Sequence, residues 1–419
     1  MQTASEPSPS ALNLDPGYDD DAWKLFETFN LSVGFGQPAP YASYTALRFQ
    51  SPVHPGLPHL GMPGNTEGVP PVFSVYSYDT AVEVLLDNAT FSNMAYHDMI
   101  GKVMGHSVIE MDPPEHREYR ALLQKPLGPK TMAAWKARFV TPLLAEMISE
   151  LRPQGHTDLV RGFLFAFPMR TFASILGLPA TQHSAFHYTA IQLVTLSYDL
   201  DKGSASAAKL GEMFAPVLAE RRAHPTDDLI SVLAHAEHEG QRLTDEEIYS
   251  FLRLLLPAGA ETTYRSSSSL LTALLSDPEQ LAAVRDDPAA LTAAVNETIR
   301  WETPLQFVPR LATEDTRLAG VDIPAGATLM VMVGAANHDP TRWEDPERFD
   351  LRRPYKSALG FGHGVHLCLG MHLSKMETEE LVRALLTLPG LRLDPDHPRP
   401  VINGTLMRSP AALNVVWDV

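Results

Sequence analysis

Cysteine is all but missing from this chain: Cys368 is the only one among 419 residues. An intrachain disulfide is therefore impossible, and any role for the thiol must be found without a second one. Basic charge is also short, since 33 Lys and Arg against 50 Asp and Glu leave a formal charge of −17. That balance argues against nucleic acid or an anionic membrane as a whole-surface partner. No apolar run approaches the roughly 20 residues that a bilayer span requires. The longest candidate, residues 325–336, is interrupted by Gly326, Thr328 and Gly334. Residues 1–20 lack a basic stretch followed by an apolar one, so they do not read as a secretory signal. They read as a disordered lead-in, and the expectation is a cytoplasmic protein with no nucleic-acid or membrane partner. No internal repeat or low-complexity block is visible.

What is present is ordinary globular material: 44% hydrophobic and 20% charged residues, in a chain long enough to enclose a cofactor in its core. Helical periodicity dominates after residue 79, with helices expected over 79–86, from about 114, and near 130–151, 166–176, 206–222 and 226–238. Strand alternation is confined to VFSVYSY (72–78), TLMVMV (328–333) and the closing LNVVWDV (413–419). Asp277-Pro278 and Asp287-Pro288 mark two helix starts. The fold class predicted is mainly α with a small β region. The longest helix opens on a capping box at Thr244 and Glu247 and then meets its own breaker. Pro257 removes a backbone donor, Gly259 follows, and Glu261, Thr262 and Thr263 bring polar groups to mid-helix. A kink with inward-facing polar side chains suits a small ligand or a proton path.

Cys368 sits in FGHGVHLCLG (361–370). A structural cysteine is more often packed in an apolar strand or helix. A nucleophile, a metal ligand or an accident remain as readings, and the neighbouring His366 has no third orienting group in the sequence that would favour the nucleophile.

Four motifs in series bear on the choice: AGAETT (258–263), ETIR (297–300), PERF (346–349) and FGHGVHLCLG (361–370). Together they make nearly the whole chain resemble a soluble bacterial cytochrome P450, a haem-thiolate monooxygenase, with a single haem-binding domain over residues 21–419. The resemblance implies haem b as cofactor, with Cys368 as axial ligand of its iron. It places Phe361 beside the thiolate, Gly362 in the loop, Gly370 at the start of the following helix, and Ala258 on the opposite face. Cations for the haem propionates would be His116 and Arg120, four apart on one helical face, with Arg310 and His366. Glu297 and Arg300 would pair, and Arg348 would complete a buried structural triad. Glu261 and Thr262 match the acid–alcohol pair that delivers protons during oxygen activation.

The resemblance further implies O2 as co-substrate and insertion of one of its oxygen atoms into an organic molecule. Electrons would come from separate partners, a ferredoxin and its reductase, because the chain carries no flavin or iron–sulfur motif. Arg117, Lys125, Lys356 and Lys375 are candidates for a basic docking patch. A monomer is expected. By position in the family pattern the substrate pocket would draw on residues 92–104, the region 190–197, and Leu254, Phe307 and Met407. Within the first of these, Met94, Tyr96, Met99 and Met104 stand out, with His97 and Gln306 as further polar handles. This mostly apolar set points to a neutral hydrophobic substrate. Two alternatives stand beside the monooxygenase: a peroxide-driven peroxygenase on the same fold, and a non-catalytic haem sensor or ligand carrier.

Overall fold

A computed structural model describes residues 16–419 except 33, 35, 66, 125–126 and 195–198. Its centre is the interrupted helix foreseen from sequence. Thr244 Oγ1 accepts from the Glu247 amide while the Thr244 amide donates to Glu247 Oε2, so the helix starts with two orphan donors satisfied. It runs as an α-helix over Asp245–Leu255, widens into a π-helical turn over Leu256–Glu261, and resumes as Thr262–Ser276. Pro257 lies in the wide turn, where its missing donor and its ring break the regular ladder.

Two apolar cores flank this helix. Its carboxyl half contributes Leu270, Leu271 and Leu274 to a cluster with Leu291, Val295, Leu381, Val382 and Leu385. Its amino half contributes Leu252, Leu254 and Leu256 to a second cluster built on Phe172, Phe186 and Phe214. The helices Pro278–Asp286 and Pro288–Trp301 begin at the two Asp-Pro steps, where Asp277 and Asp287 accept backbone amides as N-caps. The helix Pro288–Trp301 delivers the ETIR segment to the core, and Met371–Leu385 follows directly on the cysteine loop.

The β component is small and lies to one side. Strands β1 (Val53–Pro55), β2 (Val72–Val75), β3 (Phe91–Ser92), β4 (Val308–Ala312) and β5 (Thr328–Val331) form one sheet in the order β1-β2-β5-β4-β3. Only β5 and β2 are parallel; β4 pairs antiparallel with β5 with Arg310 opposite Leu329. A three-stranded sheet joins His156–Asp158, Arg392–Leu393 and Asn414–Val416, so the closing strand is confirmed in shortened form.

Three sequence expectations are revised. The lead-in over 1–20 is helical from Pro16 on, in an amino-terminal helix Pro16–Ser32 whose Trp23, Phe26 and Phe29 enter the first core. Residues 1–15 lie outside the described residues. The single helix expected over 130–151 is split into Pro129–Trp135, a wide turn Lys136–Val140, and Thr141–Leu151, because Pro142 cannot donate to the turn before it. The helix expected over 226–238 stops at Ala234, and Glu237–His238 pairs with Gln241–Arg242 in a tight hairpin. Both turn residues have positive φ, Glu239 at 51° and Gly240 at 81°, as a two-residue hairpin turn of this hand demands.

Candidate active site

The cysteine loop is shaped by its glycines. Gly362 and Gly364 have φ of 73° and 71°, a region side chains disfavour. A Cβ on Gly364 would also lie 2.7 Å from the Leu85 carbonyl oxygen. The loop closes on itself through the Cys368 amide, which donates to the Phe361 carbonyl at 2.8 Å. It is anchored at Leu359, whose amide donates to Asn337 Oδ1 at 2.7 Å. Around Gly370 a built Cβ would meet nothing within 4 Å, so this side of the loop borders open space.

Cys368 is exposed by surface area. Yet burial pushes its thiol above the ordinary value, against the opposing pull of the Gly370 amide, Arg120 and the Met371 amide. The two facts agree for a sulfur that lines an internal hollow with protein packed on its other sides. Backbone donors aimed at sulfur stabilise the thiolate form. Burial outweighs these donors, so deprotonation of this sulfur calls for a positive partner such as a bound metal.

In the interrupted helix, the wide turn leaves Ala258 exposed between the buried Leu256 and Ala260. The half-buried Thr262 hydroxyl donates to the Ala258 carbonyl at 2.8 Å. Glu261 points elsewhere. It is buried, and its Oε1 accepts from Arg265 Nε at 3.1 Å and Nη2 at 2.8 Å. Burial drives the Glu261 carboxyl upward in pKa and Arg265 opposes that shift.

Four cationic or ionisable side chains converge beside the loop. His116 and Arg120 come from the helix Glu115–Gln124, Arg310 from β4, and His366 from the loop itself. The rings of His116 and His366 are 4.0 Å apart between centroids. Burial, then Arg120, lowers His116 to about 4 against the opposing pull of Asp112; burial first, then His116 and both arginines, lowers His366 to about 2. Both rings are therefore neutral at pH 7, and the Nε2 atom of each is buried without a hydrogen-bond partner among the described residues. Arg120 donates to the Leu367 carbonyl and Arg310 to the Pro309 carbonyl. Among the described residues neither arginine is in a salt bridge, although Arg310 is buried. The Asp112 carboxylate acts on Arg310 at a distance and is itself occupied by Ser92 and the Asn93 amide.

A buried cation without an anion, next to orphaned imidazole nitrogens, is costly unless a further group completes the site. A haem fits that need: its two propionates match the two arginines and two imidazoles, and its iron matches the lone thiolate.

The charge network beneath the loop corrects one expectation. Glu297 pairs with Arg300 at 2.7 Å as foreseen, but the third guanidinium is that of Arg353, whose Nε lies 3.1 Å from Glu297 Oε1. Arg348 is exposed and contributes only its carbonyl, which accepts from Arg300 and Arg353. The segment after PERF turns back on itself, so the arginine five residues later reaches Glu297. Arg300 also donates to the Asn337 and Pro346 carbonyls, tying this helix to the anchor of the cysteine loop.

Of the expected pocket residues, Tyr96 comes near the cation group, since Arg310 holds down a phenol that burial raises. Met94 and Met99 are exposed. Met104 and Leu254 are packed in the second core, Phe307 lies against the Tyr41–Tyr44 cluster, and Met407 bridges Leu305 at the edge of the first core. His97 is 3.4 Å from Glu110, and Gln306 is buried with its Nε2 on the Thr303 carbonyl. Phe361 carries the Lys375 ammonium 5.4 Å from its ring centroid. Of the other patch candidates, Arg117 is exposed and Lys356 donates to the Arg342 carbonyl, while Lys125 lies outside the described residues, as does part of 190–197. Sequence reasoning missed Arg265, Arg353 and Asn337. Arg265 was within reach, being four residues from Glu261 on a helix.

Comparison with known proteins agrees with this geometry. A family model described as Cytochrome P450 matches residues 207–415. The cytochrome P450 monooxygenase PikC of Streptomyces venezuelae is 32% identical over 382 residues, 87% of this chain and 89% of that protein. The vitamin D(3) 25-hydroxylase of Pseudonocardia autotrophica is 31% identical over 360 residues, covering 84% of this chain and 86% of its own. Among solved structures, CYP109E1 from Bacillus megaterium in complex with testosterone aligns with a TM-score of 0.80 at 30% identity, over 91% of this chain and all of that one. The fold and these relatives define a haem-thiolate monooxygenase. This chain belongs to the cytochrome P450 family, and its cofactor is haem b. Among the described residues no helix is long and apolar enough to cross a membrane.

Proposed function

We propose that this chain hydroxylates a neutral hydrophobic molecule of the steroid or macrolide size class. In this reading it acts as a monomer, with O2 as co-substrate and electrons from a ferredoxin and its reductase. The observation that carries the assignment of residues is the unsatisfied cation group around a lone cysteine. Cys368 would hold the iron, Gly370 and Met371 amides would stabilise its charge, and Phe361 would shield it. His116 would donate Nε2–H to a propionate, and His366, whose other ring nitrogen already bonds the Met111 carbonyl, would do so once the propionate charge protonates it, with Arg120 and Arg310 supplying charge. The haem, when bound, supplies oxygen activation, with the thiolate favouring O–O cleavage.

The chain's own work is orientation and proton control. Exposed Ala258 leaves room over the haem face, and the Thr262 hydroxyl, now on the Ala258 carbonyl, is free to rotate and donate to a bound molecule. Glu261, buried and held by Arg265, would pass a proton inward. Tyr96 and the apolar surfaces near it would seat the substrate. One relative is named as a vitamin D(3) 25-hydroxylase and one similar structure holds testosterone, which is the reason for the size class proposed.

The test is turnover of steroid and macrolide panels with a ferredoxin and ferredoxin reductase under isotopically labelled dioxygen. The proposal expects a product carrying one labelled oxygen atom. Product formed only with added peroxide, or without label, contradicts it.

A further inference from the structure

The carboxylate of Glu261 is held by a guanidinium that three separate parts of the chain hold in turn. Arg265 is fully buried and donates to Glu261 Oε1 through Nε and Nη2. Its Nη2 also donates to Asn30 Oδ1, from the amino-terminal helix, and its Nη1 to Ser409 Oγ at 3.1 Å. Ser409 lies in the hairpin Ile402–Asn403/Ser409–Pro410. Its hydroxyl is also 3.3 Å from the Tyr264 hydroxyl. The aromatic rings of Phe26 and Tyr264 lie within 5.5 Å and 5.4 Å of the guanidinium carbon, so its faces are covered as its edges are bonded.

The space beside Glu261 is otherwise apolar, walled by Phe26, Phe165, Met169, Ile191, Ala260 and Tyr264. Other titratable groups on the elements packed here include His183, His187 and Tyr188, Arg170, Asp158, and Arg408 beside Ser409, which is paired with Glu302. His187 lies tilted against Phe165 at 5.4 Å between centroids, and burial, then Arg170, lowers it to about 3, so it is neutral. Arg170 acts on His187, and Asp158 on Tyr264. Arg265 is thus the one cation bonded to Glu261 among the described residues, and Asn30 ties the amino-terminal helix to it by a hydrogen bond.

We propose that Asn30 and Ser409 are positioning residues which, through Arg265, fix the ionisation and direction of the Glu261 carboxylate, making the amino-terminal helix part of the proton-handling apparatus. This rests on the reading of Glu261 as a proton relay. In an apolar pocket a carboxylate needs an oriented cation to stay ionisable near neutral pH. A guanidinium on a flexible stem meets that need only when its other donors are fixed. Loss of Asn30 removes one of the bonds that orient Arg265 and weakens its hold on Glu261.

The test uses the haem-loaded protein with Arg265→Met, Asn30→Leu and Glu261→Gln. Infrared difference spectra titrated with pH read the protonated-carboxyl band that Glu261→Gln removes. Arg265→Met moves its midpoint upward by about 1–3 pH units, as loss of an adjacent opposite charge does. Asn30→Leu moves it in the same direction by less. The pH profile of coupling, product formed per electron pair consumed, shifts with it, and the carbon monoxide band of the reduced haem stays in place. Should Arg265→Met fail to fold, Asn30→Leu alone carries the test. An unchanged midpoint in the folded variants overturns the proposal. A shifted midpoint with Glu261→Gln fully coupled upholds the clasp and removes the relay role instead.

Discussion

The imidazoles of His116 and His366 face each other at 4.0 Å between centroids, and each keeps a buried Nε2 with no partner among the described residues. One ring comes from a helix and the other from the cysteine loop, 250 residues later in sequence. Two neutral rings, both driven well below the ordinary histidine range, would not be assembled beside two arginines for packing alone.

Replacing either ring by phenylalanine keeps the packing and removes a donor to a propionate. A hydrogen bond to a charged acceptor contributes about 1.5–3 kcal/mol. Haem loss to an acceptor protein is expected to accelerate about 10- to 100-fold for each single variant. The double variant should fall short of the product of the singles, because the rings touch. Unchanged haem-loss rates would remove both from the site.

Arg353, not Arg348, is expected to carry the stability of the network beneath the loop. Arg353→Ala leaves the buried Glu297 with one guanidinium in place of two, and losing a hydrogen bond between charged groups costs about 1.5–3 kcal/mol. Arg348→Ala removes an exposed side chain and should stay within about 0.5 kcal/mol. Urea unfolding of the two variants checks the order.

His106 clips the segment before the Glu115–Gln124 helix, with Nδ1 at 2.6 Å from Glu110 and Nε2 at 2.8 Å from Glu115. Burial pulls its pKa down, and the bonds and charges of Glu115 and Glu110 together raise it overall. A raised folded value contributes stability that is complete below the unfolded value of about 6.5 and is lost as pH rises through the folded one. His106 is half exposed, so the contribution is at most about 1 kcal/mol and weakens with salt. The melting temperature of the native protein minus that of His106→Gln should therefore be largest below pH 6 and shrink as the pH rises into the alkaline range. A difference that grows with pH would contradict the assignment.

Much of this site can be read from sequence where chemistry is carried by short spacing. The cysteine loop, the Glu297–Arg300 pair and the capping box at Thr244 are all decided within ten residues, and each is found as expected. The kink at Pro257 was legible because proline acts on its own helix. Where a side chain's destination depends on a turn, spacing misleads: Arg348 sits in the motif, yet the chain folds back and Arg353 reaches Glu297. Apolar identity did not separate pocket from core, and Met104 and Leu254 lie in the packed interior. Asn30 and Ser409 meet Arg265 from 235 and 144 residues away, a contact that only tertiary structure brings about.

The central claim, that Cys368 is the thiolate ligand of a haem held by these residues, is tested most directly by one spectrum. The purified protein is reduced under carbon monoxide, in the native form and as Cys368→Ser. The native protein should give the strongly red-shifted Soret band of a thiolate haem, and the variant should lose it while retaining the fold. A variant with the same band as the native protein, or a native protein that takes up no haem, would contradict the account.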